Sequence, residues 1–296
     1  MSGEFPTQQL DAIAAGFSGR IGFYVKDLAT GATYGYCADE LFPTASVFKV
    51  AIMIELFRQA EEGILSLDDR RRLRGNISTH GSGVLGLLKD EPELSLRDYC
   101  RLMIAHSDNM ATDLLLEVIG LPSANKTMDA LGFPNTRVSM TIGHWHYVMK
   151  DMGHLPCTPE NDAVTAAAPR NDNSLCYQAS LDNNVTTPRE MGVIMERIHL
   201  GETVSAKASA AMLEMLKRCN QRTKIPCHVD PTIEVAHKIG GSNRIQADAG
   251  ILFLPTGPLV ISAFTLGDVD GSAGVKAIAE MSRVVVAAIS PESVTA

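Results

Sequence analysis

The chain has 296 residues, of which 45% are hydrophobic, so it is long enough to bury at least one full core. Its formal net charge of −8 opposes contact with nucleic acid or an anionic membrane surface, and neither is an expected partner. No apolar stretch approaches the length of a transmembrane helix. The N-terminal sequence MSGEFPTQQL lacks the basic and apolar regions of a secretory signal, so a cytoplasmic location is expected.

Segments rich in β-forming residues lie near both ends of the chain, and a helical pattern lies between them. The predicted strands are 21–27, 32–37, 233–239, 248–254 and 259–266, with turns at 27–31 and 255–258 closing two hairpins. The predicted helices are 46–61, 95–105, 109–119, 188–200, 205–219 and 274–289. Ser95 with Asp98 resembles a capping box, and Pro188 suits a first helical position.

This order predicts an α/β protein with an α+β, two-domain arrangement, in which helices flank an antiparallel sheet and a mostly helical domain is inserted. We place the sheet domain at 1–43 and 204–296 and the helical domain at 44–203. The helical domain includes a long loop, 141–187, whose part from 153 onward is rich in Pro, Asn and Asp. Loops of this length in a compact domain are usually functional or disordered.

The six cysteines match neither a zinc spacing nor a redox pair. Free thiols are expected, and one disulfide in the stretch that contains Cys157 and Cys176 is the alternative. His144 and His146 alternate in sequence, but no third ligand is in view, so no metal site is expected. No cofactor is expected either, and the sequence leaves the oligomeric state open.

A Ser-x-x-Lys motif opens the helix predicted at 46–61. Ser46 stands at the positive end of the helix dipole, and Lys49 lies on the same face one turn later. A lysine held beside a serine in a partly desolvated site can act as its base. Chance also supplies such matches, since Ser123 and Lys126 form one, but Ser123 follows Pro122 and is interpreted as a loop serine.

Two further motifs follow in the chain. Ser107-Asp108-Asn109 lies at the expected start of a helix, where each of these residue types also serves as an ordinary cap. Lys238-Ile239-Gly240-Gly241 ends a predicted strand, where a lysine can point into a cleft and glycines let backbone N–H groups approach a ligand. Taken singly, each motif has a purely structural interpretation.

The three motifs, in this order, resemble the Ser-x-x-Lys, Ser-Asp-Asn and Lys-Thr-Gly elements of penicillin-recognising serine enzymes, and of class A β-lactamases in particular. The separation of Ser46 from Ser107 and that of Pro188 from Lys238 are also similar to those of the family. The resemblance therefore covers nearly the whole chain. It implies that Ser46 is the acylated nucleophile and that Lys49 activates it.

The resemblance implies roles for six further residues. Ser107 would relay a proton to the leaving group, and the N–H groups of Ser46 and Gly241 would form the oxyanion hole. Three residues would bind substrate: Asn109 would contact the substrate amide, Gly240 would lie against the substrate at the strand end, and Arg244 would bind a carboxylate. Lys238 would offer charge to that carboxylate and to Ser107.

Two departures from the family pattern concern the chemistry. Ile239 stands where the family usually has a threonine hydroxyl, and the segment between Ser107 and Pro188 is longer than in the family. No Glu-x-x-x-Asn occurs in 130–188, although class A enzymes position the deacylating water with that pair. His144, His146 and Glu160 are the residues that could replace it, and a neutral histidine can act as a base.

The sequence therefore predicts a serine hydrolase that forms a Ser46 acyl-enzyme with a small amide, lactam or ester, with β-lactams among the candidate substrates. The alternative is a penicillin-binding or sensing module that is acylated without efficient turnover. The missing loop glutamate favours this alternative and predicts poor turnover of ordinary penicillins. A catalytically dead scaffold conflicts with the joint presence of Ser46, Lys49, Ser107 and Lys238.

Overall fold

The computed structural model describes residues 5–73, 81–267 and 271–295. The α-helices of this part are α1 (Thr7–Ala15), α2 (Lys49–Glu61), α3 (Leu96–Ala105), α4 (Asn109–Ile119), α5 (Leu121–Ala130), α6 (Ile142–Val148), α7 (Pro159–Ala167), α8 (Pro188–Leu200), α9 (Ala206–Leu216) and α10 (Ser272–Ile289). The strands are β1 (Arg20–Asp27), β2 (Thr33–Tyr36), β3 (Phe42–Pro43), β4 (Arg70–Arg72), β5 (Glu93–Ser95), β6 (Val185–Thr186), β7 (Val235–Gly241), β8 (Ile245–Leu254) and β9 (Gly257–Leu266). None of the described helices is long and apolar enough to span a bilayer.

The main sheet brings together strands from both ends of the chain. Its five strands follow the order β2-β1-β9-β8-β7, and every neighbouring pair is antiparallel. Both predicted hairpins are confirmed, although the second turn is tighter than expected because Gly257 and Pro258 already belong to β9. Strand β7 forms one edge, and its last residues carry the Lys238 motif.

Side chains that alternate along the strands serve two apolar cores. On one face of the sheet, Phe23 and Ile261 pack with residues of α1 and α10. On the other face, Val260 and Phe264 pack with the helices that lie between β3 and β7 in the chain. The fold is the predicted two-domain arrangement, and the boundaries proposed at 43/44 and 203/204 stay a prediction.

Local capping explains where the predicted helices begin. Ser95 Oγ accepts the N–H of Asp98 at 3.1 Å before α3, and Thr187 Oγ1 accepts the N–H of Glu190 at 3.0 Å before α8. Asp108 caps α4 through the N–H of Ala111 at 3.0 Å. The predicted helices over 95–105, 109–119 and 188–200 are therefore confirmed to within a residue.

Three sequence interpretations were wrong in part. The stretch 153–187 is not one loop: it contains α7, which Thr158 caps and Pro159 opens, and a 3₁₀ turn at Leu175–Tyr177. His144 and His146 lie on helix α6, not on a strand or loop. Ser123 lies in the first turns of α5. All six cysteines, which fall within the described residues, are free.

Candidate active site

Ser46 lies at the edge of a cleft of about 340 Å³ between the end of β7 and the start of α2. The cleft is lined by Ser46, Ser82, Ser107, Gln221, Thr223, Lys224, Ile239, Gly240, Gly241, Ser242, Gln246 and Val275. No acidic residue occurs among the described residues that line it. Its polar lining of hydroxyls, amides and a lysine suits a small anionic molecule better than a cation or a large apolar one.

The backbone is strained at two residues, one before the nucleophile candidate and one in the second motif. Ala45, directly before Ser46, has φ +43°, and Ser107 has φ +54°, a region that residues with a side chain rarely adopt. Ser46 then enters a 3₁₀ turn, Ala45–Phe48, which leads into α2 at Lys49. Such strain persists only where the surrounding structure enforces it, and it concentrates at active sites.

Lys49 is fully buried and is held by the second motif. Its Nζ donates to Ser107 O and to Asn109 Oδ1, both at 2.7 Å, and to Ser107 Oγ at 3.1 Å. Among the described residues, no hydrogen bond joins Nζ to Ser46 Oγ. Burial, and then the positive charge of Lys238, lowers the pKa of Lys49 well below its usual value. All three hydrogen bonds are donated only by the protonated amine. In its neutral form Nζ can donate to Ser107 O and Asn109 Oδ1 and keep its lone pair to accept the proton of Ser46, one helical turn away.

Ser107 Oγ joins the two motif lysines. It accepts from Lys49 at 3.1 Å and from Lys238 at 3.1 Å, and Lys238 Nζ also donates to Ile239 O at 2.7 Å. With both lone pairs engaged, the Ser107 hydroxyl proton is left to point elsewhere. Burial lowers the pKa of Lys238 to about 8, against the opposing charges of Cys219 and Asp248.

Asp108, the middle residue of the second motif, has a structural role. Its Oδ2 accepts the N–H groups of Val84 and Leu85 at 2.6 and 2.8 Å, while its Oδ1 caps α4. The same loop is tied down by Ser82, whose Oγ donates to Ser107 O at 2.9 Å and whose carbonyl accepts from Asn109 N at 2.9 Å. Asp108 therefore holds this loop along the cleft without entering it.

The glycines of the third motif allow the strand to approach the nucleophile turn. A Cβ at Gly240 would lie 2.7 Å from Thr44 O and 2.8 Å from Ser46 N, so only glycine fits there. The N–H groups of the first helical turn have no acceptor inside the helix. Ser46 and Gly241 both line the cleft, and the oxyanion hole that the resemblance implies for their N–H groups stays a prediction.

Lys224 is a functional candidate that sequence reasoning missed. It lines the cleft, is buried, and donates to Gly240 O at 2.5 Å and to Ala247 O at 3.1 Å. Burial lowers its pKa to about 7, although Asp248 opposes this shift. A lysine in an irregular stretch before a strand carries no motif, so only the folded structure identifies it.

Arg244 does not lie among the residues of the Ser46 cleft. Its guanidinium pairs with Asp172 at 2.9 Å and lies over the ring of Tyr177, with 5.8 Å from Cζ to the ring centroid. It lines a separate cavity of about 540 Å³ that also contains Arg20. The lysine that lines the Ser46 cleft near Lys238 is Lys224, and binding of a substrate carboxylate by Arg244 stays a prediction.

The three candidates for deacylation are placed very differently. His146 is the one beside the motif residues: a Cβ at Gly81 would lie 2.4 Å from Asn109 Nδ2 and 3.1 Å from His146 Nε2. His144 contacts the opposite side, where a Cβ at Gly153 would lie 3.7 Å from its Cε1. Glu160 is exposed in the first turn of α7 and is not a residue of the cleft.

Helix α6 is fixed to α4 by a carboxylate. Asp113 accepts the N–H groups of Ile142 and Gly143 at 2.7 and 2.8 Å, and Thr141 Oγ1 accepts from His144 N at 3.1 Å. Removal from water raises the pKa of Asp113 to about 6, against the two N–H donors and Lys49. Asn109 and Asp113 are one turn apart on α4, so one helix face contacts both Lys49 and α6.

A buried ion pair lies behind the two cleft lysines. His237 Nδ1 and Asp248 Oδ1 are 2.9 Å apart, and Asp248 Oδ2 accepts the N–H of Ile225 at 3.1 Å. Burial alone would lower the pKa of His237, but Asp248 and the Cys219 thiol raise it to about 10. The pair therefore fixes the residues next to Lys238 and Lys224 from the far side of the sheet.

Comparison with known proteins agrees with this geometry. The model of the β-lactamase enzyme family matches residues 6–289. The chain belongs to the β-lactamase enzyme family. A β-lactamase of Streptomyces cellulosae is 25% identical over 264 residues, which are 87% of this chain and 76% of the relative.

Solved structures of the same family share the fold. The β-lactamase of Sphaerobacter thermophilus is 28% identical, with a TM-score of 0.77 and 96% of each chain covered. A class A β-lactamase from Mycobacterium abscessus has a TM-score of 0.78 over 95% of this chain and 98% of its own, and at 22% identity it supports the fold alone. This β-lactamase family member is therefore a serine hydrolase, as its motifs predicted.

Proposed function

We propose that the protein hydrolyses small carboxylate-bearing β-lactams through an ester on Ser46. The observation that carries the proposal is the arrangement at Ser107, whose Oγ accepts hydrogen bonds from both Lys49 and Lys238 at the cleft that contains Ser46. β-Lactamase relatives that match most of the chain support the same substrate class.

Acylation follows from the protonation states. The lowered pKa of Lys49 favours a neutral amine that takes the Ser46 hydroxyl proton as Oγ attacks the lactam carbonyl. The negative charge that develops on the carbonyl oxygen is stabilised by the N–H groups of Ser46 and Gly241. The lactam C–N bond then breaks, and the leaving nitrogen receives a proton from Ser107, which Lys49 resupplies.

Recognition of the substrate carboxylate falls to the lysine pair. Lys238 and Lys224 converge on the Gly240 end of β7, and no described carboxylate of the cleft competes for them. Ile239 cannot donate the hydroxyl that the family usually supplies, but Thr223 and Ser242 line the same cleft. Ser242 Oγ is buried without a hydrogen-bond partner in the described part of the chain, so a substrate oxygen could satisfy it.

Intact-mass measurement after rapid quenching tests the proposal. Benzylpenicillin is expected to add its own mass to the wild-type chain, and peptide mapping is expected to place the adduct on Ser46. Ser46→Ala should abolish the adduct, whereas Ser123→Ala, which removes the serine of the second Ser-x-x-Lys match, should leave it unchanged. An adduct that survives in Ser46→Ala would refute the assignment.

A further inference from the structure

We propose that His146 is the general base that removes the acyl group from Ser46, with Nε2 as the atom that takes the proton from water. This inference rests on the proposed Ser46 acyl-enzyme. It assigns deacylation to a histidine of α6, since no glutamate of the 130–188 segment is among the described residues that line the cleft.

The orientation of the His146 ring supports this assignment. His146 Nδ1 lies 2.8 Å from Ile142 O, a carbonyl that can only accept, so Nδ1 carries the hydrogen. In a neutral imidazole the other nitrogen, Nε2, then bears the basic lone pair. The indole of Trp145 packs edge-on against the ring at 5.3 Å between centroids and restrains it in this orientation.

The residues around His146 Nε2 show where this atom lies in the site. A Cβ at Gly81 would lie 3.1 Å from Nε2 and 2.4 Å from Asn109 Nδ2, so the imidazole and the carboxamide meet at this glycine. Asn109 Oδ1 in turn accepts from Lys49 at 2.7 Å. Gly81 directly precedes Ser82, a residue of the Ser46 cleft. His146 therefore adjoins Asn109, which holds Lys49, and lies beside Gly81, the residue before Ser82 of the cleft, although His146 is not itself among the described lining residues.

The support for α6 fixes this placement. Asp113 binds the first two N–H groups of α6 from the same face of α4 that presents Asn109. Because successive residues of an α-helix are about 100° apart, His144 and His146 point to nearly opposite sides. His144 contacts the region of Gly153 and Val148, so only one of the two histidines is directed at Asn109.

The step balances in atoms and charge. The water oxygen forms a bond to the ester carbonyl carbon while one water proton passes to His146 Nε2. The carbonyl electron pair moves to the oxygen and returns as the bond to Ser46 Oγ breaks. Ser46 Oγ takes the proton that His146 Nε2 accepted from water, so a carboxylic acid is released and both residues return to their starting forms.

Single-turnover mass spectrometry separates this step from acylation. In His146→Ala and in His146→Gln, which keeps more of the side-chain volume, the benzylpenicillin adduct should form at a rate within about threefold of wild type. Its hydrolysis should slow by roughly 10²–10⁴-fold, the usual contribution of a positioned base. His144→Ala is the matched control on the same helix and should change neither rate. His146→Glu, which restores a base of similar reach, should recover part of the hydrolysis rate.

The remaining outcomes each decide the question. Equal adduct lifetimes in wild type and both His146 variants would overturn the role of His146, whether those lifetimes are short or long. Long lifetimes in all of them would also support a penicillin-binding module that is acylated without turnover, and would leave the Ser46 assignment intact. Absence of any adduct on the wild-type chain and on both His146 variants would overturn both proposals.

Discussion

The buried pair His237–Asp248 gives a prediction of large magnitude. The side chains are 1% and 0% exposed, so Asp248→Asn leaves an uncompensated group in the interior next to two buried lysines. Removing one partner of a buried pair typically costs about 3–5 kcal/mol in the free energy of unfolding. At about 2 °C per kcal/mol for a large domain, Tm should fall by roughly 6–10 °C at pH 6.

The contribution of the His237–Asp248 pair to the free energy of unfolding depends on pH with a definite sign. The folded-state pKa of His237, about 10, lies above its ordinary value, so its contribution to stability is complete below about pH 6.5 and is lost as pH rises through 10. The penalty of Asp248→Asn should therefore be largest near pH 6 and shrink toward pH 10. Thermal unfolding followed by circular dichroism across this range measures it.

A matched substitution makes the comparison sharp. Glu280→Gln breaks a surface pair with Arg283, whose side chains are about two-fifths exposed, and should cost less than about 1 kcal/mol. If Asp248→Asn lowers Tm no more than Glu280→Gln does, or if its penalty grows with pH, the assignment of a buried ion pair behind Lys238 is wrong.

Three further outcomes follow from the site. Gly240→Ala should abolish acylation of Ser46, because the new Cβ would lie 2.7 and 2.8 Å from backbone atoms of Thr44 and Ser46, and adduct formation measures this. The pKa values of Lys238, about 8, and Lys224, about 7, mean that both lysines lose their charge as pH rises. KM for a carboxylate-bearing substrate should therefore increase from pH 7 to 9, while KM for a neutral ester should not change. Parallel curves in initial-rate assays would contradict carboxylate recognition. Asp113→Ala should leave two N–H groups of α6 without their acceptor and lower the free energy of unfolding in urea by roughly 2–4 kcal/mol. It should also slow deacylation more than acylation. An unchanged adduct lifetime would argue against positioning of His146 by α6.

The sequence was most informative where local chemistry determines structure. Turn residues and alternating apolar runs predicted both hairpins, and Ser95, Asp108 and Thr187 cap their helices as their residue types suggest. The residue types and order of the three motifs were enough to identify a family resemblance. In the structure Lys49 and Lys238 both donate to Ser107 Oγ, so the three motifs lie together.

The parts that sequence reasoning missed depend on long-range contacts. Helix α6 is short. Thr141 caps it locally, but its place against α4 is set by Asp113 from another helix, which the sequence of 142–148 does not show. Lys224 is oriented by the carbonyls of Gly240 and Ala247 on two different strands. Arg244 follows the Lys238 motif in sequence, yet its pairing with Asp172 directs it to another cavity. Spacing could not distinguish His144 from His146, whereas their opposite helix faces do.

A crystal structure of the His146→Ala protein soaked with benzylpenicillin tests the central claim most directly. The account predicts continuous density from Ser46 Oγ to the opened lactam carbonyl, with the carbonyl oxygen at the N–H groups of Ser46 and Gly241. It also predicts the penicillin carboxylate within hydrogen-bond distance of Lys238 or Lys224. Density for an intact lactam with no bond to Ser46, or for a carboxylate bound at Arg244 instead, would contradict the account.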